Sequence, residues 1–351
     1  MSNGHNTPPS PSGHRVEPEL TGAVNGVIDF GDEQLNARIT QGMLKIETLL
    51  RAELSRGEDF LVDKVLHLAE AGGKRFRPMF ALLAAQYGSD PESERVIKAG
   101  AVVEIVHLAT LYHDDVMDEA ERRRGVESAN HRWSNSVAIL AGDILLAHAS
   151  KLMSELGSET VAHFAETFGD LVTGQMRETI GARDEDPIEH YTKVIREKTG
   201  VLIASAGYLG ALHGGAEEAE INALKRYGSA IGMVFQIVDD IIDIFSDPDE
   251  SGKTPGTDLR EGVFTLPVLY AMAEDTPVGA ELRGLLTGPV TDDATVARVL
   301  DLLAESTGRA RALADIKHYL AEAEEQLDLL PQNQVTAALR TLAEISSRRV
   351  G

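Results

Sequence analysis

The chain has 351 residues, 56 of them acidic against 33 basic, for a formal net charge of −23. That balance excludes a general nucleic-acid binder, and the absence of cysteine excludes disulfides and thiolate metal sites and fits a reducing cytoplasm. No uninterrupted apolar run reaches the roughly 18 residues of a membrane span, and the N-terminus lacks the basic-then-apolar order of a signal peptide. Any lipid the protein handles is expected to be met from the water side.

Residues 1–27 are rich in Pro, Ser, Gly and Asn, as in Thr7-Pro8-Pro9-Ser10-Pro11, and read as a disordered tail. Helical periodicity dominates from residue 28 on. Leu44, Ile46, Leu49, Leu50 and Leu54 recur at helical spacing with charges between them. Gly72-Gly73-Lys74-Arg75-Phe76-Arg77-Pro78 heads an apolar helix, and Asp90-Pro91 is expected to open another. Val102, Val103, Ile105, Val106, Leu108 and Leu111 lead into His113-Asp114-Asp115-Val116-Met117-Asp118, followed by Arg122-Arg123-Arg124-Gly125.

Further on, Asp186-Pro187-Ile188-Glu189 combines an N-cap residue, Pro at the first helical position and Glu three residues after the cap. Lys198-Thr199-Gly200 marks a helix interruption, and Gly214-Gly215 closes a helix. A second apolar run, with Ile231, Met233, Val234, Phe235, Ile237 and Val238, holds Gln236 and the motif Asp239-Asp240-Ile241-Ile242-Asp243. A glycine-punctuated loop follows at 251–258, and Gly262-Val263-Phe264-Thr265 reads as loop. With no composition break and no short-period repeat, residues 28–351 form one all-α domain.

The Asp motif occurs twice. On a helix, residues i and i+4 share a face, so Asp114 and Asp118 converge, as do Asp239 and Asp243. A single copy could be a solvated acidic face, but carboxylates embedded in apolar helices need partners or metal. Hard oxygen donors at this spacing suit Mg²⁺, which shares its shell with substrate phosphates. His107 falls with Asp114 and Asp118 inside a sector of roughly 40°, and Gln236, Asp239, Asp240 and Asp243 inside one of about 100°. Lys74, Arg75 and Arg77, the run Arg122–Arg124, Lys198 and Lys253 place cations beside both acidic stripes. Metal-bridged diphosphate on the acids and direct diphosphate on the bases would give two phosphate sites of different character.

With these residues, from about Gly72 to Pro267, the chain resembles the trans-prenyltransferases, the all-helical polyprenyl diphosphate synthases. The resemblance implies a single isoprenoid-synthase bundle with a central cavity, working as a homodimer in the cytoplasm. It implies head-to-tail condensation of isopentenyl diphosphate with an allylic prenyl diphosphate, and transient membrane contact at product release. By the same resemblance Lys74, Arg77, His107 and Arg124 bind isopentenyl diphosphate. Asp114 and Asp118 hold Mg²⁺ on the allylic diphosphate, which Arg123 contacts directly. Asp239 is the principal ligand of the remaining metal, with Asp240 and Asp243 more peripheral, and three Mg²⁺ ions are expected with substrate bound. Lys198, Thr199, Gln236 and Lys253 flank the allylic diphosphate and the developing cation. One departure is Val263, where many relatives carry a further Lys.

In the family, bulky aromatics four or five residues before the first Asp block the growing chain. Thr110 and Ala109 stand there and are small, so a medium or long all-trans product of roughly thirty carbons or more is expected. Other readings are a terpene cyclase, which needs no second diphosphate site, and a non-catalytic subunit of a heteromeric synthase, which would be expected to lose its ligands. A di-iron carboxylate bundle would want paired Glu-x-x-His motifs. Glu104-Ile105-Val106-His107 supplies one, with no second placed beside it.

Overall fold

The computed structural model describes residues 23–24, 27–245 and 255–348. In chain order the helices are α1 (Glu33–Leu54), α2 (Asp59–Glu70), α3 (Phe76–Ala85), α4 (Glu94–Met117), α5 (Ala129–Arg132), α6 (Asn135–Leu156), α7 (Ser158–Ile180) and α8 (Pro187–Ile195). A π-turn at Arg196–Gly200 joins α8 to α9 (Val201–Gly214). Then come α10 (Glu218–Phe245), α11 (Thr257–Glu261), α12 (Leu266–Met272), α13 (Pro277–Leu285), α14 (Asp293–Glu305), α15 (Gly308–Asp328) and α16 (Gln334–Ser347). Two small antiparallel hairpins complete the described chain: β1 (Ala23–Val24) with β2 (Val27–Ile28), and β3 (Arg122–Arg123) with β4 (Val126–Glu127).

Local chemistry explains where these helices begin. Asp32, Ser93 and Ser134 each accept an amide from the first turn of α1, α4 and α6, satisfying donors that a helix start leaves open. Asp186 caps α8 by accepting the Ile188 and Glu189 N–H groups, with Pro187 at the first helical position. Gly215, at φ 79°, ends α9 as the glycine pair implied. Asp90-Pro91, by contrast, forms a turn, and α4 opens three residues later behind Ser93. The β1–β2 hairpin lies at the end of the stretch assigned to a tail. Residues 1–22 of that stretch lie outside the described residues.

The core gathers around α4, which packs most heavily on α6, and around α10, which packs on α9 and α15. The α1 stripe is Leu35, Ile39, Ile46, Leu50 and Leu54, all buried, whereas Leu44 points outward at 59% exposure. Both α4 and α6 are long and apolar enough on average to cross a bilayer, although charged residues such as Glu104 and Asp143 interrupt their apolar runs. Most of α4 is buried inside the bundle instead, with α6 laid along it.

Candidate active site

The residues of the sequence stripe share one side of α4. His107, Thr110, Leu111 and Asp114 stay half-buried and Asp118 exposed, while Ala109, Tyr112 and Asp115 are fully buried. Upstream on this side lies a basin of cations, and downstream a basin of carboxylates.

The cation basin is organised by Glu104, 1% exposed. Its carboxylate pairs with Arg75 at 2.9 Å and lies 3.8 Å from Arg124. Arg75, in the left-handed region at φ 50°, also binds Glu47 at 2.5 Å and donates to the Ala69 carbonyl at 2.8 Å. It is therefore scaffold, although it sits in the same run as Lys74 and Arg77. Arg124 donates to the carbonyls of Leu68, at 3.0 Å, and Gly72. Gly73 permits this approach, because a Cβ there would meet the Arg124 guanidinium carbon at 2.9 Å.

Arg77 keeps a buried Nε without a partner among the described residues. Burial pulls its pKa down to about 10, and Arg124 adds to that while Glu104 opposes it. Lys74 lies 5.6 Å from the Phe235 ring centre. His107 is held well below its ordinary range by burial and then by Arg77, Arg124, Arg123 and Arg75. A neutral imidazole ringed by guanidiniums with one central carboxylate has unspent positive charge, which suits a diphosphate.

In the other basin Asp115 turns inward, accepting Arg123 Nε at 2.6 Å, which leaves Asp114 and Asp118 to the open face. Burial raises the Asp114 carboxyl to about 6, with Asp118 and Glu178 pushing the same way and Lys198 and Arg123 opposing. Lys198 comes from the π-turn and binds Glu178 at 2.6 Å. Burial alone would lower its pKa, but Asp114, Glu178 and Asp118 outweigh this and raise it. The turn fits between α7 and α10 because Gly232 and Gly174 have no side chain. A Cβ on Gly232 would come within 2.6 Å of the Gly200 Cα, and one on Gly174 within 2.9 Å of the Lys198 nitrogen. The expected helix interruption is thus an extra residue in one turn, a feature recurrent at functional sites.

On α10, Gln236 and Asp239 are half-buried, whereas Asp240 and Asp243 are buried. Asp240, expected as a peripheral metal ligand, is tied into a hydrogen-bond network in this structure. Its Oδ1 accepts Gln236 Nε2 at 3.0 Å and its Oδ2 accepts the Tyr191 hydroxyl at 2.9 Å, so both oxygens are engaged. Burial, followed by Asp239, raises this carboxyl to about 7 against those two hydrogen bonds. Gln236 is thereby oriented with Oε1 accepting the Thr199 hydroxyl at 3.0 Å. Asp243 accepts the Asp258 N–H at 3.2 Å and, through its carbonyl, the Gly256 N–H at 2.8 Å, so it anchors the chain entering α11. Glu261, at the end of α11, feels Asp118 and Asp243 as raising influences and Arg123 as a lowering one, after burial. Lys253 lies outside the described residues.

Asp114 and Asp118 fit a divalent metal. They are hard donors on one face, and neither carboxylate is taken up by a hydrogen bond among the described residues. No group of three or more His, Asp or Glu close enough to enclose a metal occurs among the described residues. Glu104 is engaged by arginines, so the di-iron reading loses the one motif it had. Sequence reasoning missed the roles of Glu104, Glu178 and Tyr191. Only Glu104, three residues before His107 on an apolar helix, carried a local signal.

Arginines from α3 and the β3–β4 hairpin gather beside the upstream half of α4, and the carboxylates Asp114 and Asp118 stand at its downstream end, an arrangement suited to an enzyme that handles phosphorylated substrates. The chain belongs to the polyprenyl synthetase family, matching it over residues 58–303. A nonaprenyl diphosphate synthase of Mycobacterium tuberculosis is 52% identical over 325 residues, covering 92% of this chain and 97% of the relative. A dimethylallyltranstransferase of the same organism is 47% identical over 318 residues, covering 90% and 97%. Among solved structures, the chain is similar to a geranylgeranyl pyrophosphate synthase from Corynebacterium glutamicum complexed with calcium and isoprenyl diphosphate. Identity is 68%, coverage 92% of this chain and 100% of that one, and the TM-score 0.85. The chain is a prenyltransferase, of a family that joins allylic and isopentenyl diphosphates with a divalent metal.

Proposed function

We propose that the cation basin takes isopentenyl diphosphate, the carboxylate basin takes the allylic diphosphate, and the product is a medium or long all-trans polyprenyl diphosphate. The observation that carries this is the division of one helix face. Upstream on α4, His107 stays neutral among Arg75, Arg77, Arg123 and Arg124. Downstream, Asp114 and Asp118 face Lys198.

Mg²⁺ held by Asp114 and Asp118, with Asp239 serving a further ion, would neutralise the allylic diphosphate and improve it as a leaving group. Three ions with substrate bound are part of this proposal. Lys198 and Arg123 add fixed positive charge where the C–O bond breaks and its electron pair passes to the diphosphate. The developing allylic cation needs negative dipoles and no nucleophile. Thr199 donates its hydroxyl hydrogen bond to Gln236 Oε1, and Gln236 is held by Asp240, so both lone pairs of the Thr199 oxygen and one of Gln236 Oε1 remain for the cation. Lys74, Arg77, His107 and Arg124 hold isopentenyl diphosphate so that its double bond attacks. The new C–C bond forms, and a proton then leaves to the released diphosphate.

Thr110 and Ala109 divide on chain length. Thr110 lies half-buried on the open side, its hydroxyl donating to the His107 carbonyl at 2.8 Å, while Ala109 is fully buried in the core. Thr110→Phe is therefore expected to shorten the product more cleanly than Ala109→Phe. Exposed Ile139 and Leu140 on α6 and Val161, Val172 and Met176 on α7 support a homodimer as part of the same reading. A cytoplasmic location with transient membrane contact at product release also belongs to it. Incubation with labelled isopentenyl diphosphate, an allylic starter and Mg²⁺, followed by chromatography, tests the proposal. Linear products of roughly thirty carbons or more are expected. A cyclised product, no elongation, or a linear product that stops well short of about thirty carbons would refute it.

A further inference from the structure

Tyr112 lies two residues before Asp114 and is fully buried, on the side of α4 away from the substrates. Its hydroxyl donates to the Lys64 carbonyl and accepts the Leu68 N–H at 3.2 Å. Lys64 and Leu68 stand four apart in α2, so these are the two ends of one rung of that helix. A hydroxyl seated at both ends of a rung fixes its spacing, since side chains entering a helical ladder alter the local axis.

The next groups along α2 and just past its end hold the cation basin. The Leu68 and Gly72 carbonyls receive Arg124, and the Ala69 carbonyl receives Arg75. His67, beside Leu68, meets the Glu127 carbonyl at 2.7 Å and Arg132 at 3.1 Å. The last turn of α2 thus grips the β3–β4 hairpin, which carries Arg123, and the αL residue Arg124 at its bend.

We infer that Tyr112 is a positioning residue for isopentenyl diphosphate. Through its hydroxyl, α4 sets the last turn of α2 and with it the Leu68 carbonyl on which Arg124 is seated. Without the hydroxyl the Lys64–Leu68 rung closes on itself, that carbonyl shifts, and Arg124 loses its place. The inference rests on Arg124 being an isopentenyl diphosphate contact, and the test separates the two.

The full-length enzyme would be assayed with Mg²⁺ as Tyr112→Phe, Arg124→Gln and the double variant. Tyr112→Phe is expected to raise KM for isopentenyl diphosphate about five- to tenfold, leaving kcat and the allylic KM within about twofold. In the double variant Tyr112→Phe should add nothing to Arg124→Gln, as for groups acting through one contact. Unchanged KM values, equal shifts for both substrates, or independent effects in the double variant would overturn it. If Arg124→Gln itself leaves the isopentenyl KM unchanged, the reading of Arg124 falls and this inference with it. A measurement on the wild type needs no variant to fold: isopentenyl diphosphate should slow hydrogen exchange in residues 64–72, and unaltered exchange there counts against the inference.

Discussion

Glu104 carries more of the site than its place ten residues before the first Asp motif of α4 suggests. One buried carboxylate faces Arg75 and Arg124 and moderates Arg77, so removing its charge leaves guanidiniums repelling one another. Breaking a buried pair on one side costs about 3–5 kcal/mol. Glu104→Gln is expected to lose stability near the low end of that range in urea unfolding, and also to raise the isopentenyl KM; a change below about 0.5 kcal/mol would show the arginines to be independently held. The sequence displays His107, Asp114 and Asp118 because i+4 and i+7 spacings can be counted. It does not display which side of α10 is closed. Asp239 and Asp240 are neighbours about 100° apart on a helix, and only the packing of Tyr191 shows that Asp240 faces inward and holds Gln236. Asp240→Asn should accordingly cost less in kcat than Asp239→Asn, since an amide can still accept one of the two bonds.

Among the elements, the π-turn at Arg196–Gly200 depends most on what flanks it. The sequence shows an interruption at Lys198-Thr199-Gly200, yet the glycines that admit it, Gly174 and Gly232, sit on α7 and α10 and share no local pattern with it. Gly232→Ala places a methyl group within 2.6 Å of the Gly200 Cα, where backbone has to yield, at a cost of roughly 1–3 kcal/mol. Because Lys198 and Thr199 move with the turn, the variant is expected to raise the allylic KM and leave the isopentenyl KM unchanged. Equal effects on both would mean that the turn does not position the allylic side. The β3–β4 hairpin was equally hidden: two residues per strand give no alternation to read, and the arginines between helices resemble an ordinary solvated loop.

For the molecule as a whole, the all-helical fold is legible because apolar periodicity runs through most of the chain, while the stitching between helices is not. His163 on α7 bonds Ser205 on α9 at 2.9 Å, and His213 bonds Thr160 at 2.8 Å. Burial pulls both imidazoles down to about 4, with Lys225 and Arg95 adding to the effect. A folded-state pKa below the unfolded value of about 6.5 means that the fold favours the neutral ring. Each contribution, on the order of 3 kcal/mol, is complete above that pH and is lost as pH falls toward 4. Asp114 and Asp240, raised by burial, act in the opposite sense, so the informative quantity is a difference. Between pH 6.5 and 4, His163→Gln should lose less stability than the wild type, and parallel profiles would contradict this. The separation of two diphosphate basins along α4 is tested most directly by the steady-state constants of Arg77→Gln and Asp114→Asn. Arg77→Gln should raise the isopentenyl KM by up to roughly 10²-fold with the allylic KM unchanged. Asp114→Asn should lower kcat by about 10²- to 10³-fold without raising the isopentenyl KM. If both variants weaken both substrates alike, the two basins are not separate sites.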